Sequence, residues 1–258
     1  MLAILIESPS HFNTEAYTIP GTRGTSRTDN PSLRPHLNMI DRPEPGNKTL
    51  HEKRLLLLRH AETSAPDRFH GAESDIGLGE RGIRQAEAVA RVLAEERPEA
   101  LYCSAMRRAI ETARPIGIAC VLTTVILPSL HERKMGPLSG MSREEGLAEY
   151  GQAKTYWMRG EIDYSHEGGE SYREVRSRVV PVIQRLVEET AVETLVVVAH
   201  GVVIRIFLTT VLEGRGAADF DRFAIDNVAI NDLRWDGDRW SAVSLNRRLV
   251  AELDSFAW

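Results

Sequence analysis

Cysteine is scarce in this chain of 258 residues, which carries only Cys103 and Cys120. That pair matches neither a disulfide framework nor a metal-ligand spacing, and it fits a reducing, cytoplasmic setting. Positive charge is also short. With 32 Lys and Arg against 37 Asp and Glu, the net charge of −5 argues against general attraction to nucleic acid or to an anionic membrane, since both need a basic face. An anionic ligand must therefore be met by a local cluster of cations. No apolar run is long enough to span a membrane, and the opening Met1-Leu2-Ala3-Ile4-Leu5-Ile6 lacks the basic leader of an export signal. No internal repeat is present. What the chain does have is 42% hydrophobic residues, enough for one sizeable core.

Order-promoting residues are unevenly spread. Six of the twelve prolines (Pro9, Pro20, Pro31, Pro35, Pro43 and Pro45) fall before Leu50, among Thr, Ser, Asn and Gly. Such a composition cannot bury enough apolar surface to order itself. Residues 1–50 are therefore expected to be a poorly ordered extension to a single domain over 51–258, with Met39 as an alternative start of translation.

Beyond Leu50, strand-like and helix-like segments alternate, which places the chain in the α/β class. Leu55-Leu56-Leu57-Leu58, after Lys53-Arg54, reads as a central strand of a sheet covered on both faces. Helical spacing of Ile83, Ala86, Val89, Ala90 and Leu93 predicts a helix over 82–96, ended by Pro98. A short strand at Ala100–Cys103, a helix over 107–118 and a strand over 123–127 follow. Two weaker helical stretches between Ser142 and Gly160 suit a cap over a site. Ser171–Glu189 is amphipathic, with an expected kink at Pro181. Leu195–Ala199 is a second buried strand, leading into a helix over 202–212. The final segments, 227–233 and 240–245, form a hairpin about Asp236-Gly237-Asp238.

The two buried strands each finish on a histidine, His60 and His200. If the strands are parallel in one sheet, both imidazoles reach its carboxyl edge, where open α/β sheets bind ligands. Arg59 precedes the first histidine and Arg205 follows the second. After the strand at Ala100, Ser104-Ala105-Met106-Arg107-Arg108-Ala109-Ile110-Glu111-Thr112 puts two cations at a helix start, where the macrodipole gives them no help. Arg107 reads as surface charge. Arg108 is better explained by an anion bound at that helix start.

Arg59-His60-Ala61-Glu62-Thr63, the Ser104–Thr112 stretch, Leu130-His131-Glu132-Arg133 and Ala199-His200-Gly201, in this order, resemble the histidine phosphatase superfamily, also called phosphoglycerate mutase-like. Phe69-His70-Gly71, Leu78-Gly79-Glu80-Arg81-Gly82, Gly136-Pro137-Leu138-Ser139-Gly140 and Gly169-Glu170-Ser171 add to the likeness. The fold so implied is a three-layer α/β/α sandwich around a mostly parallel central sheet, with a small helical cap and a C-terminal hairpin. The activity implied is metal-independent hydrolysis of a small phosphomonoester through a phosphohistidine on His60. Glu132 matches the general acid/base, Arg59, Arg108 and His200 the groups around the phosphoryl oxygens, and Thr63, Arg133 and Gly201 further substrate contacts. The alternatives are phosphoglycerate mutase-type transfer and a non-catalytic phosphate-binding module.

Two departures from the family pattern concern the phosphate grip. Ala61 stands where glycine is commoner, and the loop Ser64–Asp67 lacks an asparagine often found against the phosphoryl group, Pro66 stiffening it instead. No cofactor is implied. His131 and His166 do not share a ligand spacing with the other histidines, and arginines crowd the same pocket, so no metal is expected. Tyr156, Trp157 and Tyr164 either line the substrate entrance or form a small core cluster. Val and Phe side chains of the last hairpin and tail offer surface for a homodimer.

Overall fold

The computed structural model describes residues 5–6 and 52–248. The rest of the expected extension, with Met39, and the tail, with Phe256, lie outside the described residues. Strands are β1 (Leu5–Ile6), β2 (Lys53–Arg59), β3 (Ala100–Ser104), β4 (Thr124–Leu127), β5 (Thr194–Ala199), β6 (Ile230–Trp235) and β7 (Trp240–Arg247). Helices are α1 (Glu80–Glu95), α2 (Arg107–Cys120), α3 (Arg143–Met158), α4 (Tyr172–Glu189) and α5 (Gly201–Val211). The sheet order is β1-β4-β3-β5-β2-β6-β7, parallel from β1 to β2 and antiparallel for the last two strands. This is the three-layer, mostly parallel sandwich with a C-terminal hairpin.

The leucine run explains itself in this setting. Leu55 and Leu57 join a core with Val179 and Ile183 of α4 and Phe207 of α5, whereas Leu56 and Leu58 join Val89 and Leu93 of α1 and Ala113 and Ile116 of α2. Both faces are covered, so the alternation of a half-exposed strand is absent. All four leucines are fully buried, each contributing roughly 1.5–3 kcal/mol of apolar transfer.

Between Ser142 and Gly160 the chain forms one helix where two were expected. Ser142 caps α3 in a capping box with Glu145, and the helix runs unbroken through Gly146 and Gly151. Gly146 lies against the Phe69 ring and Leu138, and Ala153 and Trp157 are buried beyond it, so packing overrides the glycine cost of about 1 kcal/mol each. Ser171 caps α4 in the same way, with Glu174, and α4 continues through Pro181. At the far edge, Val243 and Leu245 of β7 are exposed. No described helix is long and apolar enough to cross a membrane.

Candidate active site

Strands β2 and β5 are parallel neighbours with Arg59 opposite Ala199, so the next residue on each, His60 and His200, emerges at the same level. The His60 N–H extends the ladder to the Ala199 carbonyl at 3.0 Å. The two rings lie 5.2 Å apart, tilted by 56°.

Hydrogen bonds fix the tautomer of each ring. His60 Nδ1 lies 2.8 Å from the Ala61 carbonyl, which can only accept, so the proton sits on Nδ1 and Nε2 keeps its lone pair. His200 Nε2 lies 2.8 Å from Ser104 Oγ, which already accepts the Met106 N–H at 3.3 Å. The buried hydroxyl has no other acceptor among the described residues for its own proton, which therefore goes to Nε2 and leaves His200 with an Nδ1–H that has no partner. Burial, then the charges of Arg108 and Arg59, holds His60 well below the usual histidine range. Burial and the Arg108 charge do the same to His200. Both imidazoles are neutral near pH 7.

The cations are equally constrained. Arg108, fully buried in the first turn of α2, gives Nη1 to Ser74 O at 2.9 Å and Nη2 to the His70 and Gly71 carbonyls at 3.2 and 3.3 Å. Arg59 gives Nη1 to Ile225 O at 3.0 Å. Among the described residues, four buried side-chain nitrogens have no partner, and three belong here: Arg59 Nε, Arg108 Nε and His200 Nδ1. Buried donors are almost always paired, so three unpaired ones about a neutral imidazole suit an anion. Burial lowers the pKa of Arg108 to about 10, against the opposing pull of Glu132, and leaves it charged at neutral pH.

The backbone after His60 is held from three sides. Thr112 Oγ1 accepts the Ala61 N–H at 2.9 Å, Gln85 Oε1 accepts the Glu62 N–H at 2.8 Å, and Asn227 Nδ2 donates to His60 O at 2.8 Å. Ala61 is fully buried and is not among the residues with positive φ, so the methyl group in place of glycine causes no backbone strain. Glu132 approaches from the other side of the cleft. Its Oε1 accepts the Arg133 N–H at 2.8 Å and its Oε2 the Val202 N–H at 3.3 Å, at the positive end of α5.

Some of these groups border a cleft of about 250 Å³, at the small end for ligand pockets. Arg59, His60, Thr63, Glu132 and Gly201 line it, while Arg108 and His200 sit immediately behind the wall. The mouth is basic on balance: Arg68 from the loop, Arg143 from α3 and Arg205 from α5 line it, with Tyr150 of α3 and with Lys154 of α3 paired to Asp221 at 2.8 Å. Pro66, where the sequence lacks an asparagine, presents its carbonyl to Arg143 Nε at 3.0 Å, tying the cap helix to the Ser64–Asp67 loop.

Arg133, expected as a substrate contact, is not on the cleft wall. Its neighbour Glu132 faces the cleft, and Arg133 points the other way, fully buried, with Nε on Glu170 O at 2.6 Å and its guanidinium over Trp157 at 4.7 Å. The aromatic trio is also away from the entrance. Trp157 is core, edge-on to Tyr172 and Phe220, and Tyr156 stacks on Tyr164 at 4.0 Å. The Phe and Tyr side chains that do line the cleft are Phe69 and Tyr150, packed on each other. His131 Nδ1 is bound to its neighbour's carbonyl and His166 Nε2 to Met135 O. Among the described residues, no group of three or more His, Cys, Asp or Glu side chains is placed to hold a metal. Asn227, Arg143 and Tyr150 had no signal in the sequence. Ser104 had one, its position at the end of a buried strand.

Similarity to known proteins agrees with this geometry. The model of the histidine phosphatase superfamily (branch 1) matches residues 55–248. A metal-independent phosphoserine phosphatase of Arabidopsis thaliana is 34% identical over 196 residues, 74% of this chain and 82% of the relative. A glucosyl-3-phosphoglycerate phosphatase of Mycolicibacterium vanbaalenii is 31% identical over 215 residues, 74% of this chain and 95% of its own. The structure of a mycobacterial glucosyl-3-phosphoglycerate phosphatase complexed with VO3 superposes with a TM-score of 0.69 at 28% identity, covering 76% of this chain and all of the other. The chain belongs to the histidine phosphatase superfamily, branch 1.

Proposed function

We propose that this phosphatase hydrolyses a small phosphomonoester, without a metal, through a phosphohistidine on His60. The observation that carries the reading is the pairing of a free His60 Nε2 lone pair with three unpartnered buried donors from Arg59, Arg108 and His200. In the first step Nε2 attacks phosphorus, the bond to the ester oxygen breaks, and the Glu132 carboxyl gives that oxygen a proton. In the second, water attacks the phosphohistidine, Glu132 takes its proton, and inorganic phosphate leaves His60. Arg59, Arg108 and the His200 Nδ1–H offset charge on the phosphoryl oxygens in both steps, the dominant contribution in phosphoryl transfer.

The basic mouth supports a substrate with a second anionic group. Phosphoryl binding would occupy Arg59 and Arg108, yet Arg68, Arg143 and Arg205 border the cleft as well, whereas Lys154 there is paired with Asp221 at 2.8 Å. Arg143 and Arg205 each have Nε pinned to a backbone carbonyl, Pro66 O at 3.0 Å and Phe223 O at 2.8 Å. That pins two guanidiniums in place at modest entropic cost. Phosphoserine and glucosyl-3-phosphoglycerate, named for the two relatives, both carry a carboxylate.

Trapping in an alkaline denaturing quench tests the reading. Labelled phosphoserine should yield an acid-labile, base-stable phosphoprotein that His60→Ala abolishes, with activity unchanged by EDTA. Turnover by His60→Ala at the wild-type rate would remove the nucleophile assignment, and loss of activity to EDTA would remove the metal-independent one. With 3-phosphoglycerate the expected product is free phosphate. Appearance of the 2-isomer would favour mutase-type transfer.

A further inference from the structure

Glu132 sits on neither a strand nor a helix, but between the short turns Pro128–Leu130 and Gly136–Leu138. Its place is set from outside, by Arg178 of α4. A guanidinium has five N–H donors, and here five bonds use them. Nη1 reaches Ser129 O and His131 O at 2.8 Å each, Nη2 reaches Glu132 O at 3.2 Å and Glu170 Oε2 at 2.8 Å, and Nε reaches Glu170 Oε1 at 2.8 Å. Glu170 grips the same segment again. Its N–H donates to Lys134 O at 2.9 Å, its Oε2 accepts the Lys134 N–H at 2.8 Å, and its carbonyl accepts Arg133 Nε at 2.6 Å. Neither Arg178 nor Glu170 lines the cleft, and their side chains are 18% and 12% exposed.

We infer that Arg178, locked by the fork-to-fork pair with Glu170, is a positioning residue that holds the Glu132 carboxyl at the leaving oxygen. Two carbonyls ahead of Glu132 and its own carbonyl converge on the Arg178 guanidinium, while Glu170 holds Arg133 and Lys134 beyond it, so the segment cannot shift without breaking several charge-assisted bonds. A displacement of about 1 Å at such a group can cost about a hundredfold in rate. The inference rests on Glu132 as proton donor.

The test compares kcat/KM for two esters, because that constant covers the steps up to departure of the alcohol. Nitrophenolate leaves p-nitrophenyl phosphate without a proton, whereas the alkoxide of glycerol 2-phosphate needs one. Glu132→Gln should lower the alkyl-to-aryl ratio by about a hundredfold. Arg178→Met should lower it by about tenfold or more, and Arg178→Lys and Glu170→Gln should lower it less, in the same order as the bonds they lose. Loss of folded protein lowers both constants equally and leaves the ratio alone. Should Arg178→Met not fold, Arg178→Lys and Glu170→Gln carry the test. A ratio unchanged in the Arg178 and Glu170 variants but lowered in Glu132→Gln overturns this inference alone. A ratio unchanged in Glu132→Gln overturns the proton-donor reading, and this inference with it.

Discussion

Ser104 decides which nitrogen of His200 carries the proton. Replacing it by alanine leaves His200 Nε2 buried and unpaired, and removes the bond that keeps the proton on Nδ1. Ser104→Ala is expected to cost about 1–2 kcal/mol of transition-state stabilisation, a loss of about tenfold in kcat/KM at pH 7. Steady-state kinetics on an ester the wild type hydrolyses would check this, and an unchanged rate would mean that the tautomer is set without Ser104. At this scale the sequence was legible wherever a residue broke a local rule. Arg108 stood out because a cation at a helix start needs an anion to excuse it, and it is the buried one whose Nε has no partner, while its neighbour Arg107 is exposed and paired with Glu111. Arg133 and Arg178 broke no such rule. Which way Arg133 points depends on the Trp157 surface behind it, and what Arg178 holds depends on a segment remote in sequence.

Helix α1 has a tighter requirement than its amphipathic pattern suggests. Gly82 packs on the backbone of Glu62, and a Cβ there would fall inside the van der Waals shell of the Glu62 carbonyl oxygen. In an exposed helix, glycine to alanine would stabilise by about 1 kcal/mol. Here overpacking wins: Gly82→Ala is expected to lower stability by about 1–3 kcal/mol, read as a reduced urea midpoint at unchanged m-value. A raised midpoint would show that α1 moves away from the loop without cost. Elements with both faces buried were readable from composition alone, since β2 and β5 are runs of Leu and Val with no polar alternation. The cap helix was not, because Gly146 and Gly151 interrupt its periodicity while its capping box and the burial of Trp157 keep it whole. Adjacency was also hidden. That His60 and His200 share an edge follows from parallel strands, but that they touch depends on β2 pairing with β5 across a long stretch of chain.

Across the whole molecule, every histidine in residues 52–248 has its pKa lowered: His60, His70, His131, His166 and His200. Burial is the largest cause in each case, followed for His60 and His200 by the Arg108 charge. Unfolding returns these groups to a pKa of about 6.5, so below that pH the unfolded chain binds more protons than the folded one. Their stabilising contribution is therefore complete above about pH 7.5 and is lost as pH falls through 6.5 toward the folded values. His70, His131 and His166 are less deeply buried, which leaves His60 and His200 to dominate. Carboxylates held low by arginine, such as Glu96 and Glu170, lose their contribution only as pH falls toward 4.5 and below, so the interval from pH 7.5 to 5.5 isolates the histidines. The urea midpoint should drop over that interval, and it should drop less in a variant carrying both His60→Gln and His200→Gln. Equal drops in the two proteins would assign the pH dependence to groups outside the cleft. A smaller drop in the variant would mean that the two imidazoles are kept neutral by the same burial and cations that the chemistry requires, so that acid weakens the fold and the nucleophile together.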